Sequence, residues 1–255
     1  MIANLKSSPR PATCIGLDLA GVEHRETGAA VLRDGRLVRL TTLGSDVEVV
    51  RFVLRHGRLS TVAINAPLTR PLGRCCLDDD CRCRHDPGTR SRQLERDLGR
   101  MGVPALATAL IKVLARRGAR IAMALRVAGI DPLEVYPFAT LRLLGLPWAK
   151  KKTRDGRALI HDALRPLVPG LDHPAATEHE IDAVVCALTA RFWREGMARN
   201  IGDPAEGLMV VPDRGRLFTA SGRLRRPVSR PVLPCQLPSS LRANPAGTGR
   251  RKGPG

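Results

Sequence analysis

The sequence predicts an α/β fold with a mixed five-stranded sheet, three antiparallel strands followed by two parallel ones, flanked by helices. Short apolar runs compatible with β-strands come first, and longer stretches with helical periodicity follow them. The Asp34-Gly35 dipeptide separates two strand-like runs and is typical of a two-residue hairpin. The chain has 255 residues, of which 43% are hydrophobic, and this is enough to bury one substantial core.

Each predicted element has a local signal. The first two strands are the apolar runs 13–20 and 27–34, and the run RLVRLTTL after the hairpin alternates polar and apolar residues. Ser45 is placed to cap a helix that extends to about His56. The remaining predicted elements are strands at 60–67 and 132–136, helices at about 90–100, 104–128, 138–145, 154–166 and 177–196, and a candidate last strand at 207–211. This is the order of elements in ribonuclease H-like folds, and it places the C-terminal ends of the first, fourth and fifth strands side by side.

The charge is strongly positive and unevenly distributed. Lys and Arg number 42 against 24 Asp and Glu, a net charge of +18 that favours a polyanionic partner such as nucleic acid. Aromatic residues make up only 3% of the chain, which argues against a surface that reads bases mainly by stacking. We predict a flexible N-terminus at 1–10, a folded domain at 11–212 and a disordered basic tail at 213–255, where ten basic residues accompany one acid.

Several classes of protein are excluded at this point. The chain contains no run of about 20 apolar residues that would cross a membrane, and its first residues lack the apolar segment of a secretory signal. Seven cysteines without such a signal indicate a reducing compartment, where free thiols or a bound metal are expected rather than disulfides. We therefore expect a cytoplasmic protein with no membrane partner, and the sequence does not indicate its oligomeric state.

Three acids are predicted to meet at one edge of the sheet. Asp18 ends the first strand, Glu134 lies in the fifth, and Asp182 is near the start of the last long helix. A cluster of carboxylates can hold two divalent cations about 3.5–4 Å apart, as Mg²⁺- or Mn²⁺-dependent nucleases require. The alternatives are turn chemistry at Asp18, an arginine partner for Glu134 and a helix-dipole role for Asp182.

Several segments resemble a known family. They are CIGLDLAG, TGAAVL, VAINAPLT, LEVYPFATLRLLGLP, EIDAVVCALTA and GDPAEGLMVVP, in this order between about residues 13 and 212. Together they closely resemble the domain of unknown function 429 family, whose members are described as predicted nucleases of ribonuclease H-like fold. The resemblance implies that fold here and places Asp18, Glu134 and Asp182 at the family's acidic positions.

The sequence departs from the family at one of these motifs. The strand-four motif of the family usually reads I-D-A-P-L, whereas this chain has Asn65 at the position of the Asp. An Asn side chain offers a neutral oxygen to a metal but no charge, so we expect slow single-metal chemistry or a site kept for binding alone. Glu48 on the first helix would be a replacement acid, although a solvated position in the first helical turn is the simpler interpretation.

The loop at 73–90 is rich in cysteine and arginine. Cys76, Cys81, Cys83 and His85 form a candidate Zn²⁺ site, although their spacing is irregular, and unligated thiols, a redox pair or a loop ordered by a partner are the alternatives. The predicted contacts to a nucleic-acid backbone are Arg74, Arg82, Arg84, Arg90 and Arg92. The alternative is an arginine-rich surface that the acids at 78–80 partly neutralise.

Two side chains near the predicted site have a less specific signal. His179 is a candidate general base or metal ligand, and a surface histidine is the plainer interpretation. The triplet Lys150-Lys151-Lys152 precedes a helix and is expected in a solvated loop, where it can also meet phosphate.

Three functions follow from these features. The first is a metal-dependent nuclease, and the second is a catalytically silent nucleic-acid-binding protein of the same fold. The third and most remote is a phosphotransferase of the sugar-kinase-like superfamily, which needs a second phosphate-binding hairpin that the sequence does not show.

Overall fold

The fold is built on one mixed sheet of seven strands. The computed structural model describes residues 12–85, 90–172 and 177–219. The strands are β1 (Thr13–Asp18), β2 (Thr27–Arg33), β3 (Arg36–Leu43), β4 (Thr61–Asn65), β5 (Leu133–Val135), β6 (Ala198–Asp203) and β7 (Gly207–Pro212). Their order across the sheet is β3-β2-β1-β4-β5-β7-β6. The predicted α/β class and mixed sheet are confirmed, but the predicted number of five strands is wrong.

The two additional strands form a hairpin at the edge of the sheet. β7, which includes the candidate strand at 207–211, pairs parallel to β5, and β6 pairs antiparallel to β7. β6 has the sequence ARNIGD, with only Ala198 and Ile201 buried. An edge strand that exposes most of its polar side chains carries little apolar periodicity, so its sequence does not identify it as a strand.

Helices cover both faces of the sheet. The α-helices are α1 (Asp46–Arg55), α2 (Gln93–Arg100), α3 (Lys112–Val127), α4 (Pro137–Leu144), α5 (Arg154–Leu164), α6 (Glu178–Arg194) and α7 (Arg214–Leu217), with short 3-10 helices at Arg82–His85 and Thr108–Ile111. The long helix predicted from residue 104 begins only at Lys112. Within the described ranges, no helix combines the length and apolar character needed to cross a membrane.

The alternation of side chains along the strands divides the core into two layers. Cys14 of β1 packs with α6 on one face, while Ile15 and Leu17 pack with α1 and α3 on the other. Gly16 permits α6 to approach β1 closely, because a Cβ there would lie 2.0 Å from the carbonyl oxygen of Ala183. The long helix α6 is thereby placed against the middle of the sheet.

The ordered domain continues beyond the predicted boundary at residue 212. The backbone N–H of Asp213 donates to the carbonyl of Met197, and Leu217 of α7 is fully buried in the core beside α6. Residues 213–219, which were predicted as the start of the disordered tail, are therefore packed on the domain. The predicted flexible N-terminus at 1–10 and the remainder of the tail, 220–255, lie outside the described residues.

Candidate functional site

The candidate site lies at the C-terminal ends of the central strands. Asp18 of β1 stands opposite Asn65 of β4, and Glu134 of β5 stands opposite Ile64. Asp18 is buried, and the Asn65 side chain donates a hydrogen bond of 2.5 Å from Nδ2 to Asp18 Oδ1. Asn65 is thus a direct neighbour of the central carboxylate, where its amide provides polarity without charge.

The first turn of α6 brings an imidazole to the same carboxylate. Thr177 caps the helix and forms a capping box with Glu180, which fixes the helix start. His179 Nδ1 lies 2.5 Å from Asp18 Oδ2. The hydrogen bond to Asp18 raises the pKa of His179 above its ordinary value of 6.5, although partial burial opposes the shift. The structure therefore gives His179 a partner in the site, which distinguishes it from an ordinary surface histidine.

A second buried carboxylate lies on the same helix. Asp182 accepts hydrogen bonds from Lys151 Nζ on both oxygens, at 2.7 and 2.5 Å. Burial raises the pKa of Asp182 to about 6, and the negative charge of Asp18 adds to the shift while Lys151 opposes it. Lys151 therefore supplies a positive charge directly beside Asp182. The sequence did not distinguish Lys151 from its neighbours Lys150 and Lys152 as the lysine of the site.

Glu134 is occupied by an arginine. Arg92 donates from its two terminal nitrogens to the two oxygens of Glu134, at 2.8 and 2.6 Å, and the backbone N–H of Leu68 donates to Oε2 at 2.8 Å. The side chains of Arg92 and Glu134 are only 1% and 3% exposed. Of the two interpretations for Glu134, the structure has the arginine partner. The predicted contact of Arg92 with a nucleic-acid backbone is wrong, because Arg92 is buried and directed into the protein.

The three predicted acids do not form a compact group of metal ligands. Among the described residues, the cysteines of the 73–90 loop are the only group of three or more ligating side chains whose donor atoms all lie within 4.8 Å of one another. Asp18 and Asp182, with the amide oxygen of Asn65, offer the oxygen donors that Mg²⁺ and Mn²⁺ prefer. Lys151 Nζ holds both oxygens of Asp182, so a metal ion there must displace this ammonium, which is 20% exposed whereas Arg92 is 1% exposed. With both oxygens of Glu134 bound to Arg92, that acid does not complete a two-metal set.

Glu48 does not replace the missing acid. It caps α1, where its Oε2 accepts hydrogen bonds from the backbone N–H groups of Gly44 and Ser45. These two bonds lower the pKa of Glu48 below its ordinary value of 4.5. The predicted helix cap at Ser45 is confirmed, because its side chain accepts from Glu48 N in a complete capping box.

The loop after β4 brings four cysteines together. The Sγ atoms of Cys75, Cys76, Cys81 and Cys83 lie within 4.8 Å of one another. The predicted site contained His85 as its fourth ligand, whereas the structure has Cys75 in the group and His85 outside it. The adjacent residues Cys75 and Cys76 are the sequence signal for this difference, since the structure places both of their thiols in the cluster.

The predicted arginine contacts have different positions. Arg74 is buried and donates to the carbonyl oxygens of Cys76 and Asp78, so it supports the loop from within. Of the five predicted residues, Arg82, Arg84 and Arg90 have exposed side chains.

A groove between this loop and α3 contains further arginines. Its volume is about 700 Å³. Its arginines are Arg70, Arg74, Arg116, Arg120 and Arg126, and the three on α3 are those that sequence reasoning missed. Arg116 and Arg120 are one helical turn apart, a spacing that places them on the same face of α3 and that is readable from the sequence. Part of this charge is neutralised, since Arg116 pairs with Asp78 and Arg120 with Asp46.

A smaller cavity adjoins the sheet edge. It has a volume of about 220 Å³, and Asn65, Glu134 and Tyr136 lie in its wall with several apolar side chains. The buried Glu134–Arg92 pair therefore borders a space next to Asn65, in addition to joining α2 to the sheet.

Comparison with known proteins identifies the family. A family model described as "Protein of unknown function (DUF429)" matches residues 16–207, from β1 to the first residue of β7. No curated protein and no solved structure matches the chain. The resemblance read from the sequence motifs is thus confirmed at the level of the family. Because the match covers most of the chain, the protein belongs to DUF429, a family of proteins of unknown function.

Proposed function

We propose that the protein is a metal-dependent nuclease that hydrolyses phosphodiester bonds at the site of Asp18, Asn65 and Asp182. The observation that carries the proposal is that the start of α6 holds both His179, which contacts the buried Asp18 at the end of β1, and a second buried carboxylate, Asp182, which pairs with Lys151. A buried acid with a raised pKa, such as Asp182, is typical of functional sites.

The strand order supports a ribonuclease H-like fold. The first five strands follow the order β3-β2-β1-β4-β5, with β1 to β3 antiparallel and β4 and β5 parallel to β1 and to each other. The hairpin of β6 and β7 extends this sheet beyond β5. Since one fold hosts many activities, the fold supports the nuclease only together with the site.

The residues have distinct roles in this proposal. Asp18 and Asp182 would hold one divalent cation, with Asn65 as a neutral ligand, and such a cation supplies Lewis-acid stabilisation of a phosphoryl oxygen. His179 is oriented by Asp18 and would accept a proton from the attacking water. Lys151 would hold its positive charge beside the scissile phosphate.

The substrate class follows from the charge around the site. The groove lined by Arg70, Arg116, Arg120 and Arg126 also has Leu68 in its wall, three residues after Asn65 in the chain. Arginine suits phosphate because its guanidinium donates two parallel hydrogen bonds. With a net charge of +18, these features favour a nucleic acid whose backbone lies in the groove.

The second candidate is a nucleic-acid-binding protein of the same fold without catalytic activity. Two observations favour it: Asn65 brings no charge to the site, and Arg92 already neutralises Glu134. Both reduce the negative charge available to a cation. The two candidates share the groove and differ only in the chemistry at the sheet edge.

Cleavage assays test the nuclease directly. Single-stranded, duplex and branched DNA and RNA are incubated with the full chain and Mg²⁺ or Mn²⁺. We expect cleavage that falls at least about 100-fold in Asp18→Asn and Asp182→Asn and is unchanged in the matched control Asp162→Asn, whose carboxylate is exposed on α5. Cleavage that persists unchanged in Asp18→Asn rejects this site.

The variant Asn65→Asp separates the two candidates. If the site is a weakened nuclease, restoring the acid increases metal-dependent cleavage, because the added charge strengthens cation binding. If wild type and variant both bind nucleic acid and neither cleaves it, the silent binding protein is the correct candidate.

Salt dependence tests the groove. Binding of the full chain to duplex and single-stranded DNA is measured between low and high salt, and affinity should fall steeply as counterions are released. The variants Arg116→Ala and Arg120→Ala should each reduce the slope of log affinity against log salt by about 1, because each removes one arginine that meets a phosphate. Arg36→Ala is the control, since that exposed arginine lies at the opposite end of the β1–β2 pairing. An affinity that does not respond to salt excludes both nucleic-acid functions.

A further inference from the structure

The cysteines of the 73–90 loop have the spacing of a metal site. Their four Sγ atoms lie within 4.8 Å of one another, and Cys75 Sγ is 3.4 Å from Cys81 Sγ. A disulfide would bring two sulfurs to about 2.05 Å, and all six cysteines in the described ranges are free. The sulfurs therefore surround a common point without forming a covalent bond.

The dimensions of the cluster suit a tetrahedral ion. A Zn²⁺–S bond of about 2.3 Å places the sulfurs of a tetrathiolate site about 3.8 Å apart, which lies between the shortest contact and the outer limit of this group. Soft thiolate ligands select Zn²⁺ over Mg²⁺ or Ca²⁺. Four protein ligands leave no open position for substrate, which is the arrangement of a structural rather than a catalytic zinc site.

Groups around the cluster complement a negative charge. Four thiolates and one Zn²⁺ carry a net charge of −2. Arg70 and Arg74 donate to the carbonyl oxygens of Cys75 and Cys76, which brings two guanidinium groups to the doublet. The backbone N–H of Asp78 donates to Cys76 Sγ at 3.5 Å, a second-layer bond of the kind that orients thiolate ligands.

The loop contains little else that would hold it in place. Between residues 73 and 85 its regular structure is a single 3-10 turn, Arg82–His85, and only Arg74 and Leu77 are buried. Two surface ion pairs, Asp78 with Arg116 and Asp79 with Lys112, connect it to α3. Exposed pairs of this kind contribute little, so a metal would be the main source of order.

We propose that Cys75, Cys76, Cys81 and Cys83 bind one Zn²⁺ as a closed tetrathiolate site that fixes this loop against α3. The ion holds one wall of the arginine-lined groove in position, and His85 is not a ligand. The proposal stands independently of the proposed nuclease, since it concerns metal content and loop structure alone.

Metal analysis of the full chain tests the site. The protein is purified under reducing conditions without chelators, loaded with Zn²⁺ and dialysed, and its zinc is measured per chain by mass spectrometry. We expect one zinc per chain in wild type and a loss of at least tenfold in Cys75→Ser and Cys81→Ser. His85→Ala is the matched control and should retain one zinc per chain.

Cobalt substitution reports the number of sulfur ligands. With Co²⁺ in place of zinc, wild type and His85→Ala should show the same intense sulfur-to-cobalt absorption and tetrahedral ligand-field bands. Far-UV circular dichroism shows whether the serine variants are folded. We expect them to fold, because the core clusters around the sheet contain no described residue of the loop. Retention of zinc in a folded Cys75→Ser, or its loss in a folded His85→Ala, would overturn the proposed ligand set.

Two further outcomes would overturn the metal site altogether. One is a wild-type chain that binds no zinc after reduction and loading. The other is a disulfide between Cys75 and Cys81 found by mass spectrometry of the alkylated protein after purification in the presence of thiols. In either case the cluster is a set of free or redox-active thiols.

Discussion

Arg92 and Glu134, 42 residues apart in the chain, form a two-pronged ion pair inside the protein. The guanidinium donates to both carboxylate oxygens at 2.8 and 2.6 Å, and it also donates from Nε to Glu95 at 3.1 Å. Arg92 directly precedes α2, and Glu134 lies in β5, so the pair joins α2 to the middle of the sheet. Glu134, which the sequence suggested as a metal ligand, therefore stabilises the packing of α2 on the sheet.

Removal of Arg92 is expected to be strongly destabilising. Arg92→Met leaves the buried Glu134 without its positive partner, which should lower the free energy of unfolding by about 3–5 kcal/mol. Urea denaturation measures this change. The matched control Arg90→Met removes an exposed arginine and should alter stability by less than about 0.5 kcal/mol. Adding Glu134→Gln to Arg92→Met should recover part of the loss, and equal effects at positions 90 and 92 would contradict the buried pair.

Asp182 should make stability depend on pH in a definite direction. Its pKa is raised from an ordinary 3.8 to about 6 by burial and by Asp18. A raised pKa means that the folded state binds the proton more tightly, so the carboxyl lowers stability as pH rises from about 4 to about 6. The stability of wild type relative to Asp182→Asn should therefore fall by roughly 1–3 kcal/mol between pH 4 and pH 7.

Urea denaturation at the two pH values provides the measurement. Asp155→Asn is the control, because Asp155 is exposed in the first turn of α5. The difference in the free energy of unfolding between Asp155→Asn and wild type should change little between pH 4 and pH 7. A raised pKa would be contradicted if the stability of wild type relative to Asp182→Asn were the same at pH 4 and pH 7. It would also be contradicted if wild type gained stability relative to the variant at pH 7.

Gly28 controls how closely α6 approaches the sheet. A Cβ at this position would lie 2.0 Å from the carbonyl oxygen of His179, so Gly28→Ala must displace the start of α6. We expect a loss of about 1–3 kcal/mol in stability from overpacking. The NMR titration of His179 should also move its pKa back toward 6.5, since the contact with Asp18 is disturbed. Gly21→Ala is the control, because nothing lies within 4 Å of a Cβ there. A His179 pKa in Gly28→Ala that stays as high as in wild type would rule out this role.

The segment after residue 212 should contribute to stability. Leu217 is fully buried in the core beside α6, so Leu217→Ala is expected to cost about 2–5 kcal/mol. Thermal or urea denaturation measures the loss, and Arg214→Ala on the exposed side of α7 is the matched control. If the two variants have the same stability, the domain ends at residue 212 as the sequence suggested.

Local features of the structure were predictable because their causes lie within a few residues. Asp34 and Gly35 both adopt positive φ, at 48° and 79°, as the hairpin turn requires. The Ser45 cap depends on Glu48, three residues away. Continuous apolar runs likewise identified β1, β2 and β4, which are buried on both faces, and alternation identified β3.

The sequence by itself also determined which acids lie at the sheet edge, since Asp18 and Glu134 belong to strands whose places follow from the order of elements. Only the tertiary structure decided their partners. Asp18 contacts Asn65 and His179. Asp182 binds Lys151, and Glu134 binds Arg92. In the same way Cys75, and not His85, joins the thiol cluster. Burial decides the pairings of the acids, because a charge removed from water is stabilised by the polar group that the packed backbone places beside it. The fold of the loop decides which thiols meet, and the spacing along the chain records neither distance.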